Sequence, residues 1–431
     1  MWHAAPIVEL SERSLWRHGD FMKLWTGQTV SELGSVVTRT ALPIVAVITL
    51  HANALQMGIL IASASSAVLL VGLFAGVIVD RSRRRPLLIG TDVIRAVLLL
   101  AVPALALTGA LRIEHLYVLA FAEAALGALF DVAYRTYLPS LLPSERLLEG
   151  NAKIGMTSAV AELGGPGLAG ALVQLITAPL ALLVDACSYV VSAISLLLIR
   201  APEEIVRRPE HAGGLWAELR AGLAAVGRHP LLRPLALASV TSQLFGNFFA
   251  SLYTLYALDE LGLSPLLLGI VISAGGVGSL AATVLVGPVT RRFGIGPAIL
   301  WCRVGAGALA FLVPLAGGPP LIAALYLFIP QLVGDGLQTV AIVDSLTVRQ
   351  MVTPARLLGR VNGTMTVLLE GVAPIGAIAG ALVAEAYGLR PAFWIAVTGM
   401  FLGTAFVLFS PVRSLRRLDA AAPGPGAVSD R

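Results

Sequence analysis

Glu32, Arg39, Glu123 and Asp335 each interrupt an apolar run long enough to cross a bilayer. A charge at that depth is costly and faces a partner or a wet cavity. The chemistry open to a partly desolvated carboxylate is proton exchange. Loss of water favours the neutral acid, so a proton and a cationic or neutral solute can compete for the site. Glu123, Glu32 and Asp335 are therefore the proton-coupling candidates. Arg39 lies seven residues from Glu32 on the same helical face and is the expected partner of whichever carboxylate is ionised. The alternative is a permanent ion pair of Arg39 with Glu32 or Glu123 that exchanges no proton. Asp344 adds a second acid to the run that holds Asp335.

Other chemistry finds no foothold. His3, His18, His51, His115, His211 and His229 fall outside the apolar runs without metal-ligand spacing, and there is no phosphate-binding P-loop. Cys187 and Cys302 lie within apolar stretches and read as packing residues. No enzyme, metal or cofactor is indicated, and a proton gradient is the expected energy source.

The elements that must position these groups are membrane helices. The chain is 57% hydrophobic and 13% charged, against about 25% charged residues in soluble domains. A hydrocarbon core of roughly 30 Å takes about 20 helical residues per crossing. Apolar runs at 21–50, 57–79, 86–109, 114–138, 152–176 and 178–200 predict spans 1 to 6. Those at 233–258, 264–288, 296–317, 320–348, 360–386 and 390–412 predict spans 7 to 12. The fold class is all-α, with twelve transmembrane helices in two pseudo-symmetric six-helix bundles.

The symmetry is written in the punctuation. A shift of 211 residues lays Gly58 on Gly269, Gly76 on Gly287, Pro86 on Pro297, Asn151 on Asn362 and Gly165 on Gly376. Duplicated hydrophobic halves are the pattern of secondary transporters, which rock about a central site. The domain reading is a lead-in at 1–20, bundles at 21–200 and 233–412, a linker at 201–232 and a disordered tail at 413–431.

Arginines and lysines gather in alternate loops, at Arg81 to Arg85, Arg146 to Lys153, Arg200 to Arg233, Arg291–Arg292 and Arg349 to Arg360. By the positive-inside rule both termini are cytoplasmic and the protein is a multi-pass component of the inner (plasma) membrane. The net charge of +5 is thus matched to the phospholipid bilayer and not to nucleic acid. In the linker, Leu215, Leu219, Leu223 and Val226 recur at helical spacing. They predict an amphipathic helix on the membrane surface or packed on protein.

Gly76-Val-Ile-Val-Asp80-Arg81-Ser-Arg-Arg84-Arg85 follows span 2. Gly72 and Gly76 offer a small face for helix contact, Asp80 can complement a helix N-terminus, and the arginines can pin a cytoplasmic latch. This turn resembles the G-x-x-x-D-R-x-x-R-R signature of the major facilitator superfamily, and the resemblance covers nearly the whole chain. The second copy, Gly287 to Gly294, has Arg291 where the first has Asp80, so a latch there works differently. Gly164-Gly165-Pro166-Gly167-Leu-Ala-Gly170 in span 5 is similar to the glycine–proline motif of the antiporter branch, with simple packing as the alternative. Tyr134 to Pro143 with Asn151-Ala152, and Ser31 to Gly34 with Leu42-Pro43, resemble the macrolide-efflux and enterobactin-exporter group.

In that superfamily spans 1, 4, 7 and 10 line the path, which is where Glu32, Arg39, Glu123 and Asp335 fall. Many drug–proton antiporters carry an arginine four residues before a glycine in span 4. Counting back from Gly127 gives Glu123, so that arginine's role cannot be carried over. Asp92 and Arg95 are expected to brace the Asp80 turn and Arg135, and Arg303, at the repeat position of Asp92, to belong to another bracing pair. Glu162, Asp185 and Glu370 are expected to be structural. Gln243, Asn247, Phe248 and Tyr253 in span 7 could wall a bulky ligand. The resemblance implies a monomer that exports a hydrophobic or amphiphilic small molecule in exchange for protons. Alternatives are a dedicated exporter of a siderophore or other metabolite, a lipid transporter, or a non-transporting sensor of transporter fold.

Overall fold

The computed structural model describes residues 15–200 and 215–416, and every long element in them is a helix. Of the predicted lead-in, linker and tail, residues 1–14, 201–214 and 417–431 lie outside the described residues. Twelve helices are long and apolar enough to span a bilayer. Spans 1 to 6 are Gly19–Thr49, Ala54–Asp80, Arg84–Leu107, Ile113–Leu141, Ser144–Ile176 and Ala178–Leu197. Spans 7 to 12 are Leu232–Glu260, Pro265–Phe293, Ile295–Leu315, Pro320–Val352, Ala355–Tyr387 and Leu389–Leu408. The largest departure from the hydropathy reading is at the start of span 5, followed by the start of span 11 and the end of span 8. Spans 5 and 11 begin with polar turns, which hydropathy registers as a loop.

The duplication persists in the devices that start and stop helices. Asn53 Oδ1 accepts from the Gln56 amide at 2.9 Å while the Asn53 amide donates to Gln56 Oε1 at 3.0 Å, a reciprocal cap that opens span 2. Its repeat counterpart, Ser264, opens span 8 by accepting from the Leu267 amide at 3.2 Å. Between spans 11 and 12 the chain turns at Gly388, φ 92° and ψ 166°. The equivalent turn between spans 5 and 6 is made by Thr177 at φ 95° and ψ 153°. That region is all but reserved for glycine, so the first copy carries strain that the second avoids.

The bundles meet at the end remote from the arginine-rich loops, through span 2 with span 11 and span 5 with span 8. A Cβ on Gly58 would lie 2.9 Å from the Ala377 carbonyl oxygen, and one on Gly269 would crowd the carbonyl of Pro166. Pro166 is the repeat position of Ala377, so the two contacts are symmetry mates. Only residues without side chains let the backbones approach this closely. At the arginine-rich end a Cβ on Gly72, Gly76, Gly155, Gly359 or Gly363 would meet nothing within 4 Å. The predicted small-residue face of Gly72 and Gly76 therefore borders open space.

Helix Leu215–Arg228 precedes span 7 and packs on span 11. A Cβ on Gly222 would lie 2.6 Å from the Arg360 carbonyl. Val226 is buried in one cluster with Val361 and Met365. Trp216 and Leu223 remain exposed.

Candidate functional site

A cavity of about 480 Å³ opens on the inner face of the first bundle, lined by Glu32, Arg39, Arg95, Glu123 and Asp131, with Glu370 from span 11. A second, more polar hollow of about 390 Å³ continues from Glu32 and Asp131 along Asn151 and Arg135. Leu42, Leu60, Val68 and Phe130 supply apolar wall beside the charges. The site is thus amphiphilic: aliphatic surface for a hydrophobic body, with carboxylates and guanidinium groups at the same depth.

Its anchor is an ion pair missing from the sequence reading. Arg95 Nε and Nη2 reach Glu123 Oε1 at 2.8 and 2.6 Å, with the two side chains only 9% and 13% exposed. The Tyr189 hydroxyl also donates to Glu123 Oε1, and Ser35 Oγ lies 2.9 Å from that hydroxyl, positioned to donate to it in turn. The Arg95 guanidinium lies over the Tyr189 ring, 4.0 Å from its centroid. Spans 1, 3, 4 and 6 are thereby tied through one carboxylate. Asp92, one turn before Arg95, and Asp185, one turn before Tyr189, are fully buried, and Asp185 accepts from Ser188 Oγ at 2.8 Å.

Two expectations are corrected. Arg39 pairs neither with Glu32 nor with Glu123. Its Nη2 lies 2.5 Å from Glu162 Oε1 on span 5, with the side chains 64% and 51% exposed. Seven helical residues separate Glu32 from Arg39 by about 10 Å along the axis, beyond ion-pair reach. Arg95, expected to brace the Asp80 turn and Arg135, turns to the cavity instead. It is the twelfth residue of the 24-residue helix Arg84–Leu107, so it sits at mid-membrane and not near the surface. Counting residues from the true helix start was the signal that could have found it. Glu370, expected to be structural, lines the same cavity as Glu32, and Glu162, also expected to be structural, is the partner of Arg39.

The second bundle holds a smaller cavity of about 200 Å³ between spans 7, 9, 10 and 12, lined by Tyr253, Arg303, Gln331 and Asp335 among others. Pro330 cannot donate an amide hydrogen, and the helix answers with a widened turn, Pro330–Gly334, that delivers Asp335 to this cavity. Gln331 Nε2 donates to the Tyr253 hydroxyl at 3.3 Å. Of the span 7 candidates, Phe248 is buried against Gly380 on span 11, and Asn247 Nδ2 bonds the Gln243 carbonyl at 3.0 Å. Only Tyr253 of that group lines this cavity. Among the described residues Arg303 forms no bracing ion pair; its side-chain partners are Ser239 and Ser242.

The motif residues serve helix ends and the seam. Arg85 Nε and Nη2 donate to the Leu196 and Leu197 carbonyls at 2.9 and 2.8 Å, closing the C-terminus of span 6 with positive charge. Gly76, Asp80 and Arg81 are exposed, and Arg84 is half-buried at the start of span 3. In the second copy, Thr290 Oγ1 donates to Asp344 Oδ1 and Oδ2 at 3.0 and 2.9 Å, in place of any contact through an equivalent of Asp80. Gly165 packs on Val36 of span 1, while Pro166 and Gly170 face span 8, where Gly167 N also donates to Ser273 Oγ at 3.0 Å.

Residues 24–373 match the family model of the Major Facilitator Superfamily. The multidrug efflux pump Tap of Mycolicibacterium fortuitum is 29% identical over 426 residues, covering 94% of this chain and 98% of that relative. Macrolide efflux protein A of Streptococcus pyogenes is 22% identical over 405 residues, covering 93% and 97%. Among solved structures, an inward-facing bacterial homologue of the iron transporter ferroportin superposes with a TM-score of 0.69 at 19% identity, covering 92% of this chain and 99% of that one.

Proposed function

The chain belongs to the Major Facilitator Superfamily, and from that membership we propose that it exports a hydrophobic or amphiphilic small molecule by alternating access, in exchange for protons. It is a multi-pass membrane transporter and not an enzyme. The relatives named for multidrug and macrolide efflux support the substrate class and the direction. The arginine-rich loops support a plasma membrane with both termini cytoplasmic.

One observation carries the coupling: Glu123 lies on the cavity wall in a pair with Arg95, with Asp92 and Asp185 buried close by. A single guanidinium cannot balance three buried carboxylates, so charge balance asks for protons in the cluster. Protonating Glu123 would release Arg95 and loosen the tie between spans 3, 4 and 6, while a cationic or neutral substrate would compete for the same carboxylate. Glu32 and Asp131 extend the acid surface toward the arginine-rich end, and Asp335 provides a separate acid in the second bundle. The Arg39–Glu162 pair sits where a substrate entering the cavity would meet it.

The test is transport in proteoliposomes with an imposed pH gradient and a panel of amphiphilic drugs, macrolides included. Gradient-driven flux should be lost in Glu123→Gln and reduced in Glu32→Gln and Asp335→Asn. Flux indifferent to the gradient, or unchanged in all three variants, would overturn the coupling.

A further inference from the structure

Arg303 is a buried cation without a counter-charge. It is 4% exposed on span 9. Nη1 donates to Ser242 Oγ at 3.2 Å and approaches the Ala238 carbonyl at 3.5 Å, and Nη2 donates to Ser239 Oγ at 3.2 Å. Nε is buried with no partner. Among the described residues no carboxylate oxygen comes within 4.0 Å of the guanidinium. Hydroxyls and one distant carbonyl do not neutralise a full charge.

The repeat differs here: Arg303 stands where the first bundle has Asp92, and Ala306 stands where it has Arg95. The first bundle neutralises Arg95 with Glu123. At the repeat position of Glu123 the second bundle has Gly334, and the space a carboxylate would fill is part of the 200 Å³ cavity that Arg303 lines. Ser242 and Gln338 offer hydrogen-bond donors on the same lining. Asp335 shares the cavity outside ion-pair reach of Arg303, so the guanidinium is not satisfied from within.

We propose that Arg303, with Ser239 and Ser242, is a binding site for one small monovalent anionic group, a halide or the carboxylate of a solute. The guanidinium supplies the charge, the serine hydroxyls turn to donate, and Gly334 leaves the room. The site lies within the second bundle, apart from the Glu123 cavity. It does not depend on the export reading, because binding is measured with no gradient and no transported drug.

The experiment is thermal unfolding of the purified full chain in detergent, from low-salt buffer, against rising sodium chloride in one series and sodium acetate in another. The expected result is a saturable rise in Tm of about 5 °C with at least one of the two anions. Saturation by chloride without acetate identifies a halide, and the reverse identifies a carboxylate. Arg303→Gln should abolish the saturable component. Ser242→Ala, which keeps the buried charge and alters one hydroxyl, should raise the midpoint concentration about tenfold and covers the case in which Arg303→Gln does not fold. No saturable rise in the wild-type protein, an equal rise in Arg303→Gln, or an unchanged midpoint in Ser242→Ala would overturn the site.

Discussion

His18 and His229, 211 residues apart, cap the first helix of their respective bundles with the same ring atom. His18 Nδ1 accepts from the Phe21 amide at 3.1 Å, and His229 Nδ1 accepts from the Leu231 and Leu232 amides at 3.2 and 3.4 Å. A cap of this kind works only while Nδ1 is unprotonated, which makes the bond at His229 pH-sensitive. Burial lowers the His229 pKa below its ordinary value. The folded state thus binds the proton less readily than the unfolded chain does. The stabilisation is complete above about pH 6.5 and drains away as pH falls through the lowered pKa. His229→Asn, a cap that does not titrate, should lose less Tm between pH 7.5 and pH 5 than the wild-type protein. Equal acid sensitivity of the two proteins would contradict the cap.

Breaking the Arg95–Glu123 pair from one side should cost more than removing it whole. Glu123→Gln strands a buried guanidinium, for a loss of roughly 3–5 kcal/mol. Arg95→Met with Glu123→Leu should recover most of that loss. A double-mutant cycle on unfolding in detergent measures the coupling, and additive losses would refute the pair as the anchor of spans 3 and 4.

The Arg39–Glu162 pair predicts the opposite balance. Both side chains are more than half exposed, and an exposed ion pair is worth about 0–1 kcal/mol. Arg39→Ala should leave Tm within about 2 °C of wild type while changing the drug concentration that gives half-maximal flux. A large fall in stability would show that the pair holds the bundle together.

Gly58 and Gly269 invite a matched experiment. A valine at either position collides with the backbone of the opposite bundle, at Ala377 or Pro166, and should prevent closure of that end. Transport should fall at least tenfold in Gly58→Val and Gly269→Val alike, with cysteine labelling of the far end increased. Normal transport in either variant would contradict the symmetric seam.

Thr177→Gly should stabilise the protein. The wild-type turn holds a β-branched residue at φ 95°, a conformation that costs about 1–3 kcal/mol outside glycine. The gain is offset in part by the freedom glycine adds to the unfolded chain. A net rise in Tm of about 2 °C is expected, and a fall would mean that the threonine side chain contributes contacts worth more than the strain.

Helix number and repeat were legible because both are written in one dimension. Apolar run length sets the number of crossings, and a glycine or proline marks a turn whatever its neighbours are. Asn53 and Ser264 extend that logic: different residues at one repeat position, performing one cap. The partnership of Arg95 with Glu123 is of another kind. It depends on the rotation of span 3 about its own axis, which the packing of spans 4 and 6 decides and no periodicity in a uniformly apolar helix records. Arg39 shows the complementary limit. Sharing a face with Glu32 fixed its direction, but the axial gap left it free to reach across to span 5.

The fastening of helix Leu215–Arg228 to span 11 has a mechanical corollary. With Gly222 seated under the Arg360 carbonyl and Val226 sunk beside Val361, the helix is baggage of the later half and travels wherever span 11 goes. Lengthening the helix would therefore add only to the load that span 11 carries.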